Sequence, residues 1–525
     1  MIQKQVVVIG GGPAGLSSAI AAAQAGARVT VIDENQRPGG QLFKQIHKFF
    51  GSREHYAGRR GIHIGTEMLK EAEALNIEVL LNSVVYGIFE DRTLGVIRDG
   101  ANLSVRAERV VIATGASENP LVFPGWTLPG VMGAGAAQTM VNLHGVLPGK
   151  RCLMVGSGNV GLIVSYQLLQ AGADVVAIVE ADSKVGGYHV HAEKIRRHGV
   201  PILLSHTIRE ARGKESVEEA TLVRLDKNWH PLPGTEQDLQ VDFVCLAVGL
   251  TPLTELGWMA NCRCQSVPGL GGFVLHHNDG METTVPGIYA AGDCAGVEEA
   301  SIAMEQGRLA GLSIAESLGL IDRTRSADQR ASIQERLKEL RRKPAFYDSS
   351  ADLGNREAST ADRASLEPLK VGPGYPTEER FQQGPTAIVE CMQEIPCDPC
   401  AYVCPRGAIS VGRPITKLPH LDTGKCTGCG LCIPGCPGLA IFVVDNTYSP
   451  TEALLKLPHE FLPLPKAGEI VEALDRYGRR VTEGRVIKVE NPRKFDHTPV
   501  VSVVIDKRFS NEVRAVSVRR GRHGR

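Results

Sequence analysis

The pattern that most constrains this chain is a glycine fingerprint that occurs twice, each time between a β-branched run and a helix-favouring stretch. The first copy is Gly10-Gly11-Gly12-Pro13-Ala14-Gly15, after the run 5–9 and before small residues 16–25. Strand, tight turn and helix in that order form a unit of a parallel sheet. Gly10 permits the turn, Gly12 lets the backbone approach a pyrophosphate, and Gly15 lets the helix pack on the strand. A second apolar run, 28–32, ends in Asp33 and Glu34, where a carboxylate accepts hydrogen bonds from a ribose diol. The second copy is Gly156-Ser157-Gly158-Asn159-Val160-Gly161, lying between the runs 150–155 and 174–179, the latter followed by Glu180. A carboxylate there favours a free 2′-hydroxyl, and no Arg follows within 181–184 to hold a 2′-phosphate, which prefers NAD to NADP. The same fingerprint also serves to hold an adenine nucleotide structurally, and both uses stay open.

A length of 525 residues exceeds a single core, and 43% hydrophobic with 22% charged residues is ordinary globular composition. Lys+Arg and Asp+Glu balance at 58 each, so no global field draws nucleic acid or an anionic membrane. The basic end Arg519, Arg520, Arg522, Arg525 reads as solvated. Gly10 to Pro13 interrupt the apolar stretch 6–27 too early for a membrane span, and no signal-peptide cleavage pattern follows. Of 13 cysteines, eight lie between Cys391 and Cys436, the reverse of a disulfide framework. A reducing, cytoplasmic location is expected.

Those eight have metal-ligand spacing. Cys426-x2-Cys429-x2-Cys432-x3-Cys436-Pro437 is the bacterial ferredoxin run, whose fourth cysteine ligates the other cluster in two-cluster proteins. Upstream, Cys397-x2-Cys400-x3-Cys404-Pro405 repeats its last three positions, and Arg406-Gly407-Ala408-Ile409 echoes Gly438-Leu439-Ala440-Ile441. Interlocking assigns Cys426, Cys429, Cys432 and Cys404 to one 4Fe-4S cluster. A second would take Cys397, Cys400 and Cys436, with Cys391 substituting for the register position that Glu394 occupies. Zinc competes for paired Cys-x2-Cys motifs, but the third and fourth cysteines with Pro in both copies oppose it.

Two further segments, Val110 to Ala116 containing Thr114-Gly115 and Gly287 to Asp293 containing Gly292-Asp293, resemble signatures of the two-dinucleotide-binding-domain flavoproteins. The resemblance implies FAD in the first fold, with Asp293 on its ribityl chain. It also implies a helix over 300–310 whose positive N-terminus faces the flavin. Disulfide reductases of that superfamily need a close cysteine pair beside the flavin. None is present: Cys152 and Cys245 read as core, and Cys262, Cys264 and Cys294 as structural.

Arg37-Pro38-Gly39-Gly40-Gln41 with Lys44 to Ser52, supported by the segment from Pro129 to Lys150, is similar to the FAD subunits of heteromeric amine and imino-acid dehydrogenases over about residues 1–320. That family comprises the α-type subunits of proline and hydroxyproline dehydrogenases, opine oxidases, hydrogen cyanide synthase and sarcosine oxidase. Several members carry a short 2Fe-2S segment where this chain carries the ferredoxin cassette. The resemblance implies an electron-transfer subunit that relays electrons from an amine-oxidising FAD subunit to an external acceptor. The alternative is an NAD(P)H-dependent ferredoxin-type reductase resembling the glutamate synthase small subunit, and a third reading is a scaffold whose cofactors only stabilise it. His47, His55 and His63 read as surface or core residues.

The expected fold is therefore α/β. A Rossmann-like FAD domain (1–119 and 245–325) contains an inserted NAD-type domain (120–244). A solvated helix over 331–342 and a linker over 349–384 fill 326–383. A ferredoxin-like α+β module (384–445) and a small β domain (446–525) follow, the latter with strands over 469–474, 480–489 and 500–505.

Overall fold

Both glycine turns fold as the fingerprint requires in a computed structural model of the chain, which describes residues 1–342, 345–346 and 372–518. The chain divides into two units. The first comprises Met1–His47, Arg59–Asn119 and Gly249–Arg342; the second comprises Lys48–Gly58, Pro120–Val248 and the described part of Lys343–Arg525.

The first unit is built on a seven-stranded sheet. Its parallel part places Glu78–Leu80, Val29–Ile32, Ile2–Ile9, Ala101–Ile112 and Ile288–Ala290 side by side. An antiparallel meander of Ser83–Phe89 and Thr93–Arg98 extends Ala101–Ile112. Near-continuous apolar runs fit strands covered on both faces. The fingerprint helix Pro13–Gln24 starts on Pro at its first turn and packs against Ala300–Ser317. Small residues set that approach: a Cβ on Gly307 would strike the Ala14 carbonyl, and one on Gly311 the Ser18 carbonyl.

The charged helix is not merely solvated. It runs Arg323–Leu340, capped by the Asp322 carboxylate, and buries Ile333, Leu337 and Leu340. Its arginines reach carboxylates along and just before helix Ala300–Ser317: Arg330 to Glu316 at 2.7 Å, and Arg336 to both oxygens of fully buried Glu305 at 2.8 Å. Just beyond the helix, Arg341 grips Glu298. The charges that suggest a solvated face serve instead to dock the helix.

The second unit repeats the parallel pattern with Ile202–Leu204, Asp174–Glu180, Arg151–Val155, Phe243–Leu246 and Val131–Gly133. It adds the meander His206–Arg212, Glu219–Arg224, Gln237–Gln240. The cysteine region and C-terminal strands share one antiparallel sheet. Its order is Thr386–Val389, Ile441–Asp445, Glu452–Pro458, Val500–Asp506, Arg480–Glu490, Ile470–Leu474, Ala515–Ser517. This sheet runs straight across the 445/446 position, because Asp445 pairs with Leu454. Alternation along Glu452–Pro458 sends Ala453, Leu455 and Leu457 into a core with Phe442, Val501 and Val503.

The expected linker is packed over 372–384. Thr377 caps the short helix Glu378–Phe381, Phe381 is fully buried, and Arg380 donates to the carbonyls of Thr423, Gly384, Pro385 and Cys426. One aromatic and one arginine fix this segment, so it shows no hydrophobic period. The rest of the expected linker, 349–371, and the basic tail from Arg519 lie outside the described residues. Among the described residues no helix is long and apolar enough to cross a membrane.

Candidate functional site

Register aligns the predicted dinucleotide residues. Ile9 pairs with Ile32 and Ile112, and Ala290 pairs with Ile112, so Gly10, Asp33, Thr114 and Gly292 follow the carboxyl ends of neighbouring parallel strands. This is where open α/β sheets bind ligands. Gly10 has φ +101°, and a Cβ on it would strike the Ala113 carbonyl; one on Gly15 would strike Gly10. Both glycines are demanded by the protein itself. Gly12 is different: its φ of −77° suits any residue, and nothing lies within 4 Å of a Cβ built there. The backbone there is open to approach from outside the chain.

Around this opening, Gly40 (φ +53°) sits against the Gly12 Cα, and the Gly39 amide donates to the Gly11 carbonyl at 2.7 Å. Gly292 (φ +78°) approaches Ala14 and donates its N–H to the Gln306 side chain at 2.7 Å. Gly292 thus lies against the first turn of the fingerprint helix, and Asp293 follows it in the chain. Burial pushes its carboxyl up to about 6, with Glu298 and Glu299 adding to the effect. The Thr114 hydroxyl donates to Leu253 O at 2.7 Å, and Gly115 adopts φ +78°. Glu34 and Gln41 are exposed beside this loop.

Asp33 is engaged by the protein. Its Oδ2 accepts from the Gly11 amide at 2.6 Å, and its Oδ1 from the Asn35 amide and side chain at 2.8 and 2.9 Å. Glu180 repeats this: Oε2 takes the Ser157 amide (2.9 Å) and hydroxyl (2.6 Å), and Oε1 the Asp182 amide (3.0 Å). Each carboxylate thus first rigidifies its own glycine loop, with about one of four lone-pair positions left for a ribose. The second loop matches in its glycines too. Gly156 (φ +105°) would strike Ala247 O and Gly161 would strike Gly156 O, whereas Gly158 has nothing within 4 Å.

Cys404, Cys426, Cys429 and Cys432 line one pocket of the ferredoxin-like module, with an empty volume of about 350 Å³. Among the described residues no three His, Cys, Asp or Glu side chains converge closely enough to hold a single metal ion. Four thiols lining one pocket match the ligand number of a 4Fe-4S cluster. Amides point at the sulfurs: Ala408 N to Cys404 Sγ at 3.2 Å, and Ala387 N to Cys426 Sγ at 3.4 Å. In the other copy Ala440 N lies 3.4 Å from Cys436 Sγ, so the sequence repeat is also a geometric one.

Cys391, Cys397 and Cys436 pack in one cluster with Val190, Ile395 and Ala440, and Cys400 is nearly buried close by. Burial and the neighbouring Cys436 push the Cys391 thiol up to about 12, and burial with Cys400, Cys436 and Cys391 raises Cys397. Cys391, and not Glu394, therefore keeps company with the other three. Bare thiols held this high must lose protons to become ligands, so cluster assembly in either set is coupled to proton release. Cys152, Cys245 and Cys294 are fully buried.

Several supports of the site carry no sequence signal. Lys456 donates to the carbonyls of Gly428 (3.0 Å) and Cys429 (3.3 Å), while Arg380 holds Cys426 O at 2.8 Å. Lys48, within the stretch that suggested the family, is buried and donates to Pro434 O (2.5 Å) and Phe495 O (2.9 Å). Arg53 stacks 4.6 Å over Tyr402, whose hydroxyl donates to Ala57 O. Segment 48–58 is thus fastened to the cysteine module, through carbonyl acceptors that leave no mark in a sequence.

The sequence profile of the pyridine nucleotide-disulphide oxidoreductase family matches residues 4–307, and that of the 4Fe-4S binding domain matches residues 419–442. An opine oxidase subunit of Agrobacterium tumefaciens (strain Ach5) is 32% identical over 368 residues, covering 66% of this chain and 72% of that protein. Hydrogen cyanide synthase subunit HcnB of Pseudomonas aeruginosa is 27% identical, covering 68% of this chain and 80% of its own length. Among solved structures, L-proline dehydrogenase from P. horikoshii shares the fold with a TM-score of 0.50 at 22% identity, over 64% of this chain and 59% of that one.

Proposed function

We propose that this chain, which belongs to the pyridine nucleotide-disulphide oxidoreductase family, is the electron-transfer subunit of a heteromeric dehydrogenase for a secondary amine or imino acid such as proline, hydroxyproline or sarcosine. It is an FAD-dependent oxidoreductase with a 4Fe-4S domain, related to subunits of opine oxidase and hydrogen cyanide synthase. The observation that carries the proposal is the four-thiol cradle of Cys404, Cys426, Cys429 and Cys432 in a flavoprotein without a redox-active cysteine pair among its described residues. FAD accepts electrons in pairs and a 4Fe-4S cluster one at a time, so together they split a two-electron donor into single-electron outputs.

In this reading Gly12 receives the FAD pyrophosphate and Asp293 the ribityl hydroxyls. The N-terminus of helix Ala300–Ser317 supplies a positive end for developing negative charge. Cys391, Cys397, Cys400 and Cys436 form a second cluster site, and the amides of Ala387, Ala408 and Ala440 temper charge on the sulfurs of both. An amine-oxidising partner supplies the electrons, and the subunit names of the relatives support such a partner.

The second reading, an NAD(P)H-dependent ferredoxin-type reductase, draws on the open cradle at Gly158 beside Glu180. Anaerobic mixing separates the two. Bleaching of the flavin absorbance only when an amine-oxidising partner and its substrate are added supports the relay, whereas rapid bleaching by NADH alone overturns it.

A further inference from the structure

The second glycine loop and the second cysteine set, both within the second unit, share one short segment of the chain, Gly186 to Val190. Its first residues lie on the loop. The Gly187 amide donates to Ser157 O at 2.9 Å, as the Gly39 amide does to Gly11 O at 2.7 Å in the first fold. The Gly186 amide donates to the Ser157 hydroxyl at 3.1 Å, and the Tyr188 amide to the Asn159 side chain at 2.8 Å. A Cβ built on Gly186 would lie 3.7 Å from the Gly158 Cα and 3.8 Å from the Glu180 carboxylate. The segment therefore borders the backbone that a pyrophosphate approaches in such loops.

Its last residues lie on the cysteines. The His189 amide donates to the Gln393 side chain at 2.9 Å, and the Gln393 amide in turn to the Cys391 sulfur. Val190 is 2% exposed and packs with Cys391, Cys397 and Cys436. A Cβ on Gly438, two residues beyond Cys436, would come within 2.9 Å of Val190. Between these ends the Tyr188 ring meets Phe50 at 5.6 Å, and both rings pack against the same cysteine group. One unbroken run thus touches both sites with no slack between them. Cys404, Cys426 and Cys432 pack elsewhere, around Ile433 and Val443.

We propose, on the reading of both sites given above, that the second glycine loop is a regulatory adenine-nucleotide site whose occupancy lowers the reduction potential of the cluster held by Cys391, Cys397, Cys400 and Cys436. The nucleotide brings negative charge to one end of the segment and holds the other end against the cysteines. Added negative charge and exclusion of water both disfavour the extra electron. Linkage makes the effect reciprocal, so the reduced chain binds the nucleotide more weakly.

ADP binding to the holoprotein, measured by anaerobic calorimetry with the clusters oxidised and then reduced, tests this coupling. ADP is expected to bind about fivefold or more weakly to the reduced chain. For a one-electron couple that is a midpoint lowered by about 40 mV, at 59 mV for each tenfold, in a potentiometric titration followed by electron paramagnetic resonance. The cluster that shifts should be the one whose signal survives in Cys404→Ser. Tyr188→Ala keeps its loop amide but removes the ring, and should bring the affinity ratio below about twofold; if it loses iron, Phe50→Leu carries the same comparison. Equal ADP affinity in both states, a shift confined to the Cys404 cluster, or an undiminished shift in Tyr188→Ala would each overturn the proposal. No ADP uptake, or iron for a single cluster, also overturns it, by removing one of the two sites and not the link between them.

Discussion

Gly12 and Gly158 separate two demands that a glycine fingerprint makes. Gly10, Gly15, Gly156 and Gly161 are required by the protein's own backbone, whereas a methyl group at Gly12 or Gly158 meets empty space. Gly12→Ala is therefore expected to leave the melting of the flavin-free chain unchanged while lowering the flavin retained per chain. Gly158→Ala should do the same for adenine-nucleotide affinity at the second loop. Destabilised apo-protein in either case would count against this assignment.

Asp293 adds a pH signature. Its carboxyl, raised to about 6 from an ordinary 3.8, favours the protonated form in the folded chain. The stability it contributes is present below 3.8 and is lost as pH rises through about 6. Denaturation of the flavin-free chain across that interval should show this loss, flattened in Asp293→Asn. The glycines and cysteines are legible in the sequence because turns and cluster ligands admit few substitutes. Asp33 and Glu180 are legible as acids, but not as the ties that hold their own loops, because an amide donor has no sequence signature.

Among elements, strands and fingerprint helices follow their apolar runs closely, and the predicted strand 500–505 is observed as Val500–Asp506. The docking of helix Arg323–Leu340, expected as a solvated helix over 331–342, and of the segment 372–384 escapes a sequence reading for one reason. Both dock through arginines and isolated apolar anchors, which look like solvation in a one-dimensional pattern. The same holds for the end of the antiparallel sheet, where Glu390 sits between Arg476 and Arg514. Burial pushes this carboxyl up, but the two guanidiniums outweigh it and hold it down to about 2.

Glu390 thus contributes stability above its ordinary 4.5 that is lost as pH falls through about 2. Glu390→Gln leaves buried guanidinium charge without its carboxylate and should cost on the order of 3–5 kcal/mol in denaturant unfolding at neutral pH. An effect under about 1 kcal/mol, the range of surface pairs, would refute this role.

For the molecule as a whole, two nucleotide folds and a cysteine repeat are readable in the sequence. The assignment of segment 48–58 to the unit that holds the cysteines is not, since it depends on Lys48 reaching carbonyls distant in sequence. The central claim is that electrons delivered by an amine-oxidising partner leave this chain through the cluster of Cys404, Cys426, Cys429 and Cys432. Its most direct test is anaerobic reduction of the assembled complex by its amine, followed at the flavin and iron-sulfur absorptions in wild type and Cys404→Ser. Both absorptions are expected to bleach in the wild type; in the variant the flavin and the cluster of Cys391, Cys397, Cys400 and Cys436 still bleach, while transfer to an external acceptor is abolished. Full acceptor reduction by Cys404→Ser, or clusters that stay oxidised while the wild type turns over, would contradict it.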